Sequence, residues 1–394
     1  MRSLRSSVTQ KTEVITDMPN MHTTSSAQQV DLTFANRPDL QALPDGFSIP
    51  NTVNACAMFH GCSGLKALPK GFSAPNVVNA YDMFCKCASL SSLPEGFSIP
   101  NVTDANSMFH GCSSLSSLPA GFSAPNAVDA GWMFSGCRSL SWLPDGFSIP
   151  NVTDARHMFS GCSSLKALPA GFSVQNVTNA AWMFSECASL SALPEGFSFQ
   201  NVTDARHMFA YCGGLTALPE GFSALNVVNA DCMFCGCSSL SSLPAGFSCP
   251  NVTSAEAMFA YCANLSAIPD GFSAPNITDA EYMFMYCLSL ERIGDNVKVA
   301  NAPGAASVDS TEISLSPIIS IGDNFEWFTN VKFEGEWDPA LGIRNVFPNV
   351  ASVGPGWKVY DHYDGEPSGA GLDCFYIEPM EDGATVTCEN FSPS

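Results

Sequence analysis

Apolar residues recur at a spacing of twenty-five residues along most of this chain, from Gln41 to Gly294. Within each copy they stand three or four positions apart, which is the spacing of one buried face of a short α-helix. In the third copy this apolar set reads Ala105, Met108, Phe109, Cys112 and Leu115. A strict repeat of this length without insertions predicts a solenoid, in which each copy forms one coil and covers the apolar face of the next.

Polar and turn-forming residues divide every copy in the same way. The position before the predicted helix holds only Asn, Asp or Ser, whose side-chain oxygen can cap a helix start. A Leu-x-x-Leu-Pro segment then predicts a short strand, Gly-Phe-Ser a turn, and Asn-Val-Thr a second short strand. The sequence therefore predicts an α/β repeat solenoid of ten coils, each built as strand, turn, strand and short helix.

The repeats divide the chain into four predicted segments. Residues 1–38 are polar and aperiodic, and we expect a flexible arm or one that becomes ordered against a partner. Residues 39–294 form the predicted solenoid, and residues 295–317 have the composition of a linker or a degenerate coil. Residues 318–394 are acidic and aromatic, and their pattern predicts a β-rich cap or small domain over the last coil.

One asparagine recurs at a predicted turn in every copy. Its amide can donate to the backbone of one neighbouring coil and accept from the next, which predicts an asparagine ladder. Several of these residues also begin Asn-x-Thr sequences, but an amide used inside a ladder is a poor site for a glycan. The ladder positions are Asn51, Asn76, Asn101, Asn126, Asn151, Asn176, Asn201, Asn226, Asn251 and Asn276.

The net charge of −21 restricts the partners that the array can bind. A chain this acidic offers no basic face for phosphate groups, so we expect no nucleic-acid partner. The sequence contains no apolar run of transmembrane length and no recognisable secretory signal, so we expect no membrane insertion. We expect extracellular display on a cell surface or a virion, by a route that reads no N-terminal signal, with a cytoplasmic location as the alternative.

Seventeen cysteines are too many to leave unassigned. Ten of them occupy one repeat position, which predicts small buried residues rather than disulfides. Cys374 and Cys388 stand near the two ends of a predicted hairpin, where they would face each other, and they form a candidate disulfide.

Two groups of residues resemble metal sites in the sequence. His60 and His110 share a repeat position two coils apart, which is roughly 10 Å at about 4.8 Å per coil and too far to share one ion. Cys232, Cys235 and Cys237 lack the second pair of ligands that a zinc site needs. Because no nucleophile, acid–base pair or phosphate-binding loop is readable either, the sequence predicts no metal, no cofactor and no enzyme.

The repeated unit resembles the BspA-like leucine-rich repeats of bacterial and some protozoan surface proteins. Asn-Val-Thr, Met-Phe, Cys and Leu stand at matching offsets over about residues 39–293. The chain departs from that family where Ala105 and Ala155 replace a frequent Met, and in lacking an export signal. The resemblance implies a non-enzymatic role in attachment or recognition, and it supplies neither catalytic residues nor a particular ligand.

The two positions after the capped Ala vary most from copy to copy. In the middle copies they carry aromatic and basic side chains, the residue types that most often anchor interfaces. We expect them to form a recognition stripe along an otherwise acidic array, although drift at exposed positions would give the same pattern. The recognition stripe comprises Trp132, Arg156, His157, Trp182, Arg206 and His207.

Two functions are compatible with these patterns. The first is an adhesion or recognition protein that binds a protein or glycan on a partner surface, tethered through residues 1–38 to a larger assembly such as a phage tail-like particle. The second is a carbohydrate-binding or carbohydrate-active module in residues 318–394, carried by the repeats as a spacer. Tryptophan and tyrosine beside carboxylates would suit the faces and hydroxyls of sugars.

Overall fold

A computed structural model describes residues 34–197, 199–280 and 282–299, together with the backbone of six later strands. In these residues the chain is a tandem array of repeats that contains short strands and no helix. None of the described residues forms a helix with the length and apolarity needed to cross a bilayer. Most of residues 1–38, 295–317 and 318–394 lies outside the described residues. The predicted arm, the predicted linker and the carbohydrate-binding alternative therefore stay predictions.

Consecutive repeats pair side by side through parallel bridges between residues twenty-five positions apart. One series of bridges links Ala42 to Ala67 and Ala67 to Ser92, and it continues through later repeats. A second series links Asn54 to Asn79 and continues in the same way. Each described repeat therefore contacts the copy before it and the copy after it, as stacked repeats require.

Ten short strands occur from the last full repeats onward. They are β1 (Ala267–Ile268), β2 (Ser273–Ala274), β3 (Arg292–Ile293), β4 (Lys298–Val299), β5 (Ser320–Ile321), β6 (Glu326–Thr329), β7 (Ser352–Val353), β8 (Lys358–Asp361), β9 (Asp373–Met380) and β10 (Gly383–Asn390). One sheet has the parallel order β1-β3-β5-β7. The other has the order β2-β4-β6-β8-β9-β10 and ends in the antiparallel hairpin β9-β10.

Parallel pairing continues beyond residue 294, where the twenty-five-residue register was predicted to end. Arg292 pairs with Ser320, and Ser320 pairs with Ser352, so the pairing persists over longer connections. The predicted extended pattern near Ile321 corresponds to β5 and β6. The change in spacing, rather than an end to stacking, explains why the apolar register becomes unreadable there.

The predicted C-terminal hairpin is present as β9 and β10. Its register pairs Cys374 with Glu389 and Cys388 with Phe375. The two cysteines are therefore not directly opposite each other across the strands, contrary to the sequence expectation. Because their side chains lie outside the described part of the structure, the disulfide itself stays a prediction.

The predicted short helices are wrong for every described repeat. Alternate amides of this segment point to different partners: Phe159 donates to the carbonyl of Met183 in the next repeat at 2.8 Å, while Met158 donates to Ala155 three residues back at 3.1 Å. Since every second N–H is bound by the neighbouring repeat, it is not available for the i to i−4 bonds of a helix. The segment is instead a chain of tight turns, and its apolar spacing still produces one buried face.

The predicted helix caps are Asx turns. The Asn179 side-chain oxygen accepts the N–H of Ala181 at 3.1 Å, and Asp154 accepts the N–H of Arg156 at 3.1 Å. These bonds span two residues and stabilise a turn without starting a helix. The Asn and Asp side chains therefore form the backbone hydrogen bond that the sequence predicts, but tight turns follow it instead of a helix.

Two interlocked columns of phenylalanine rings fill the core. In the column that contains Phe59 and Phe84, successive rings stack with centroids 5.2 to 5.6 Å apart. The column that contains Phe72 and Phe97 packs edge-on against the first. Phe34 continues the first column, so the packing of the core begins before residue 39, where the sequence predicts the start of the repeats.

The repeated cysteines form a third buried column, which we call the cysteine column. Each thiol donates to the carbonyl of a phenylalanine in the preceding repeat, as Cys162 does to Phe134 at 3.2 Å. Burial raises the pKa of the Cys162 thiol to about 12. Members of the column are Cys62, Cys87, Cys112, Cys137, Cys162, Cys187, Cys212, Cys237, Cys262 and Cys287.

We expect alkylating reagents at neutral pH to modify Cys56 in the native protein well before any member of the cysteine column. Burial raises the pKa of both kinds of thiol, but Cys56 is only half-buried and its thiolate can meet the reagent, whereas the column thiols are buried. Mass spectrometry of short labelling pulses, with and without denaturant, measures this order. Column peptides labelled as fast as the Cys56 peptide without denaturant would contradict the packing.

Candidate recognition surface

One position in each described repeat holds a non-glycine residue in the left-handed backbone region. Its φ lies between 52° and 62° in every copy, which costs about 1 kcal/mol or more for a residue with a side chain. These residues form what we call the left-handed column. Its members are Ala57, Asp82, Ser107, Trp132, His157, Trp182, His207, Cys232, Ala257 and Tyr282.

A second left-handed position provides a comparison. In the turn represented by Gly71 the ten copies from Gly46 to Gly271 are glycine, with φ between 69° and 79°, and the next copy is Asn296, with φ 55°. A Cβ built on Gly71 would meet no atom within 4 Å, so the backbone conformation alone accounts for glycine there. The left-handed column contains no glycine, although glycine would remove its strain. Unfavourable backbone conformations of this kind tend to occur where a side chain has a function.

Four members of the left-handed column stack face to face, and we call them the ring column. Trp132 and His157 have ring centroids 4.8 Å apart with a 9° interplanar angle. His157 and Trp182 are separated by 5.5 Å, and Trp182 and His207 by 3.7 Å. The structure therefore brings together the four aromatic members of the six-residue recognition stripe, in a stack rather than on the helix face that the sequence predicted.

The two arginines of the recognition stripe flank the ring column. The guanidinium carbon of Arg156 lies 4.9 Å from the ring centroid of Trp132, within cation–π range. Arg156 and Arg206 each form an ion pair at 3.4 Å with the aspartate two residues earlier. Their side chains remain 41% and 51% exposed, so these pairs are screened and leave donors open to a partner.

The histidines of the ring column are held in their neutral form. Burial is the main cause that lowers the pKa of His157, and the neighbouring Arg156 guanidinium lowers it further. Burial also lowers the pKa of His207, against an opposing effect of Asp231. The Nδ1 atom of His207 is buried without a hydrogen-bond partner among the described residues.

We expect the protein to lose stability as the pH falls below about 6.5, the usual pKa of histidine. In that range the unfolded chain binds protons that His157 and His207 resist, so the free energy of unfolding decreases until the lowered folded pKa values are passed. Urea unfolding from pH 7.5 to 5 measures the slope.

A variant with His157→Phe and His207→Phe keeps aromatic rings and should show a flatter dependence on pH. Trp182→Phe is the matched control, because it alters the same stack without removing a titrating group. Equal slopes in the histidine double variant and the wild type would contradict the assignment.

A surface depression of about 440 Å³ lies at one end of the ring column. It combines aromatic, amide, imidazole and guanidinium groups, the mixture found in many binding sites. Its residues Tyr81, Asn106 and Ser107 occupy the same variable positions as the recognition stripe in earlier repeats, but the predicted stripe did not include them. The lining residues are Tyr81, Asn106, Ser107, His110, Trp132 and Arg156.

The predicted asparagine ladder lies on an exposed edge of the repeats. The side-chain amide of Asn76 donates to the carbonyl of Pro50 at 2.7 Å, and Asn101 donates to Pro75 at 2.8 Å. The same bond, to the carbonyl that precedes the previous ladder position, recurs at each described position as far as Asn276. The ladder thus connects the turns of successive repeats.

The cysteines at 232 and 235 form a hydrogen-bonded pair. A hydrogen bond from Cys232 lowers the pKa of Cys235 to about 7, and the Tyr211 hydroxyl acts in the same direction. Cys237 is a member of the buried cysteine column. The structure therefore separates the three cysteines into a surface-proximal pair and a core residue.

The repeats match the model of a known protein family. The family described as Mycoplasma protein of unknown function, DUF285, matches residues 3–122, 128–243 and 219–308. No curated protein matches the chain. The three matches in tandem cover most of the repeats and agree with their repetition. The chain therefore belongs to the DUF285 family, described as Mycoplasma protein of unknown function.

Proposed function

We propose that this chain is a non-enzymatic recognition protein, built as a ten-coil solenoid of the BspA-like kind. Its ring column and flanking arginines would bind a protein or glycan on a partner surface. Extracellular display, on a cell surface or a phage tail-like particle, and tethering through residues 1–38 belong to the same proposal.

The observation that carries this proposal is the ring column in its strained backbone position. Four consecutive copies place an aromatic ring there at an energetic cost that glycine would avoid. The flat surfaces of stacked rings are largely covered by their neighbours, so a partner would meet ring edges. Indole and imidazole edges carry N–H donors, and the guanidinium groups of Arg156 and Arg206 add more.

Charge favours an acceptor-rich ligand at this surface. The chain carries a net charge of −21, so the two exposed arginines, which lie two repeats apart, are a local exception. Guanidinium forks match carboxylates in geometry, and they also donate to carbonyl and hydroxyl oxygens. A glycan with carboxylate groups, or a protein loop with exposed acceptors, combines these requirements with the aromatic contact.

The test is binding of the full chain and its variants to arrayed glycans and surface proteins. The variant Trp132→Ala, Arg156→Ala, Trp182→Ala and Arg206→Ala should lose at least about tenfold in affinity for the ligands that the wild type binds, as expected when several interface anchors are removed. Its matched control is Tyr261→Ala with Tyr286→Ala, because these exposed rings also stack, at 5.0 Å, in another column. Unchanged binding by the first variant would overturn the proposal.

Removing residues 318–394 tests whether the binding site lies in this C-terminal region instead of in the repeats. Binding that persists in the truncated chain supports recognition by the repeats. Binding that disappears while the repeats stay folded assigns it to the C-terminal region. Thermal unfolding followed by circular dichroism checks that the repeats of each variant remain folded.

A further inference from the structure

A second chemical cluster lies in the first repeats, at the position directly after Met-Phe. Three consecutive repeats carry His60, Cys85 and His110 there. In the next two repeats the same position holds Ser135 and Ser160. The sequence argument against a metal site compared His60 with His110 alone. Cys85, in the repeat between them, was not considered together with the histidines.

Three potential ligands come together around Asp82, a member of the left-handed column. The ligand atoms of His60, Asp82 and Cys85 all lie within 4.8 Å of one another. His60 Nδ1 is 3.4 Å from an Asp82 carboxylate oxygen. In a tetrahedral zinc site, metal–ligand bonds of about 2.0–2.3 Å place neighbouring ligand atoms about 3.5 Å apart. The distance between His60 Nδ1 and the Asp82 carboxylate oxygen therefore already matches that of two ligands in such a site.

The cluster supplies three protein ligands, which leaves the fourth position of a tetrahedral zinc ion to water. His60 and Asp82 are half-buried and Cys85 is buried, so solvent and ions can reach the cluster from the His60 and Asp82 side.

A later repeat provides a natural comparison at the same two positions. Cys232 and Cys235 correspond to Asp82 and Cys85, but the residues that correspond to His60 and His110 are Ala210 and Ala260. That pair has no ligands on either side in its own column. The coincidence of three ligand types is therefore specific to the first repeats rather than a consequence of the repeat geometry.

We propose that His60, Asp82 and Cys85 bind a divalent transition-metal ion of the Zn²⁺ class, with water as the fourth ligand. Imidazole, carboxylate and thiolate are all zinc ligands, and two anionic ligands neutralise the charge of a dication. Binding releases the thiol proton of Cys85 to solvent as the sulfur–metal bond forms. The ion joins two consecutive repeats, and it should stabilise this end of the array by mass action.

The experiment uses the full chain, reduced and freed of metal by a chelator. Titration with Co²⁺, followed by the absorption of the thiolate complex, and competition by Zn²⁺ should give one ion per chain. His60→Ala, Asp82→Asn and Cys85→Ser should each weaken binding about tenfold or more, since metal sites lose 10–100-fold even when only their supporting residues change.

The matched control is the double variant Cys232→Ser and Cys235→Ser, which should bind Co²⁺ like the wild type. Circular dichroism of each metal-free variant checks folding, and the near-isosteric Asp82→Asn and Cys85→Ser changes protect the test against a folding defect. Absence of stoichiometric binding by the wild type would overturn the proposal. Undiminished binding by Asp82→Asn and Cys85→Ser would do the same.

Discussion

Phe159→Ala should lower the free energy of unfolding by about 3–5 kcal/mol, the range for large-to-small changes in a packed core. The ring is fully buried and stacks between Phe134 and Phe184 at 5.6 and 5.5 Å. Phe147 and Phe172 contact it edge-on from the second column. Neighbours held by their own repeats cannot move in to fill the space, so the cavity would remain.

The matched control for Phe159→Ala is Trp142→Ala. Trp142 is also a large aromatic residue of a middle repeat, but it is 53% exposed, and its removal should change stability by less than about 0.5 kcal/mol. Equilibrium urea unfolding measures both variants. Similar losses in the two would show that the phenylalanine columns do not provide the core.

A single alanine inserted between Met158 and Phe159 should destabilise the protein even more severely. The insertion shifts every following amide by one position. Amides that bonded within the turn then face the next repeat, and amides that bonded to the next repeat face the turn. Phe159 would then point its N–H away from Met183, and the apolar set would turn out of the core. Several buried amides would lose partners at about 1–3 kcal/mol each, enough to unfold a protein of ordinary stability.

The same insertion between Ala170 and Gly171 is the control. Both residues are exposed, and they lie in a turn closed by the Phe172 N–H bond to Pro169. We expect a loss of about 1 kcal/mol or less there, because lengthening a short loop is inexpensive. Thermal unfolding of the two insertion variants compares them directly, and equal destabilisation would refute the alternating pattern.

The buried face of each repeat could be predicted from the sequence, but its backbone could not. Ala105, Met108, Phe109, Cys112 and Leu115 are all buried, as their spacing indicates. Spacings of three and four residues are shared by helices and by chains of tight turns. The bonds that decide between them connect residues twenty-four positions apart, which local periodicity does not report.

The candidate recognition surface was predicted in part. Variation between copies pointed to Trp132, His157, Trp182 and His207, and the structure stacks them. Their left-handed backbone could not be foreseen, because non-glycine residues give no sequence signal for it. The ligand cluster around Asp82 was accessible in principle, by aligning the copies and reading His60, Cys85 and His110 as one column.

The most direct test of the whole account compares two deletions of one complete repeat each. Removing residues 151–175 joins Pro150 to Asn176 and takes two members of the recognition stripe, Arg156 and His157, out of the array. Removing residues 226–250 joins Leu225 to Asn251 and leaves the stripe intact. Both deletions preserve the twenty-five-residue register, so both proteins should fold with similar thermal stability.

Binding to the wild-type ligand should fall at least about tenfold in the first deletion and remain unchanged in the second, because only the first removes side chains that we propose as interface anchors. Surface plasmon resonance on the two purified proteins makes this measurement. Equal binding by both folded deletions would show that recognition does not reside in the ring column and its arginines.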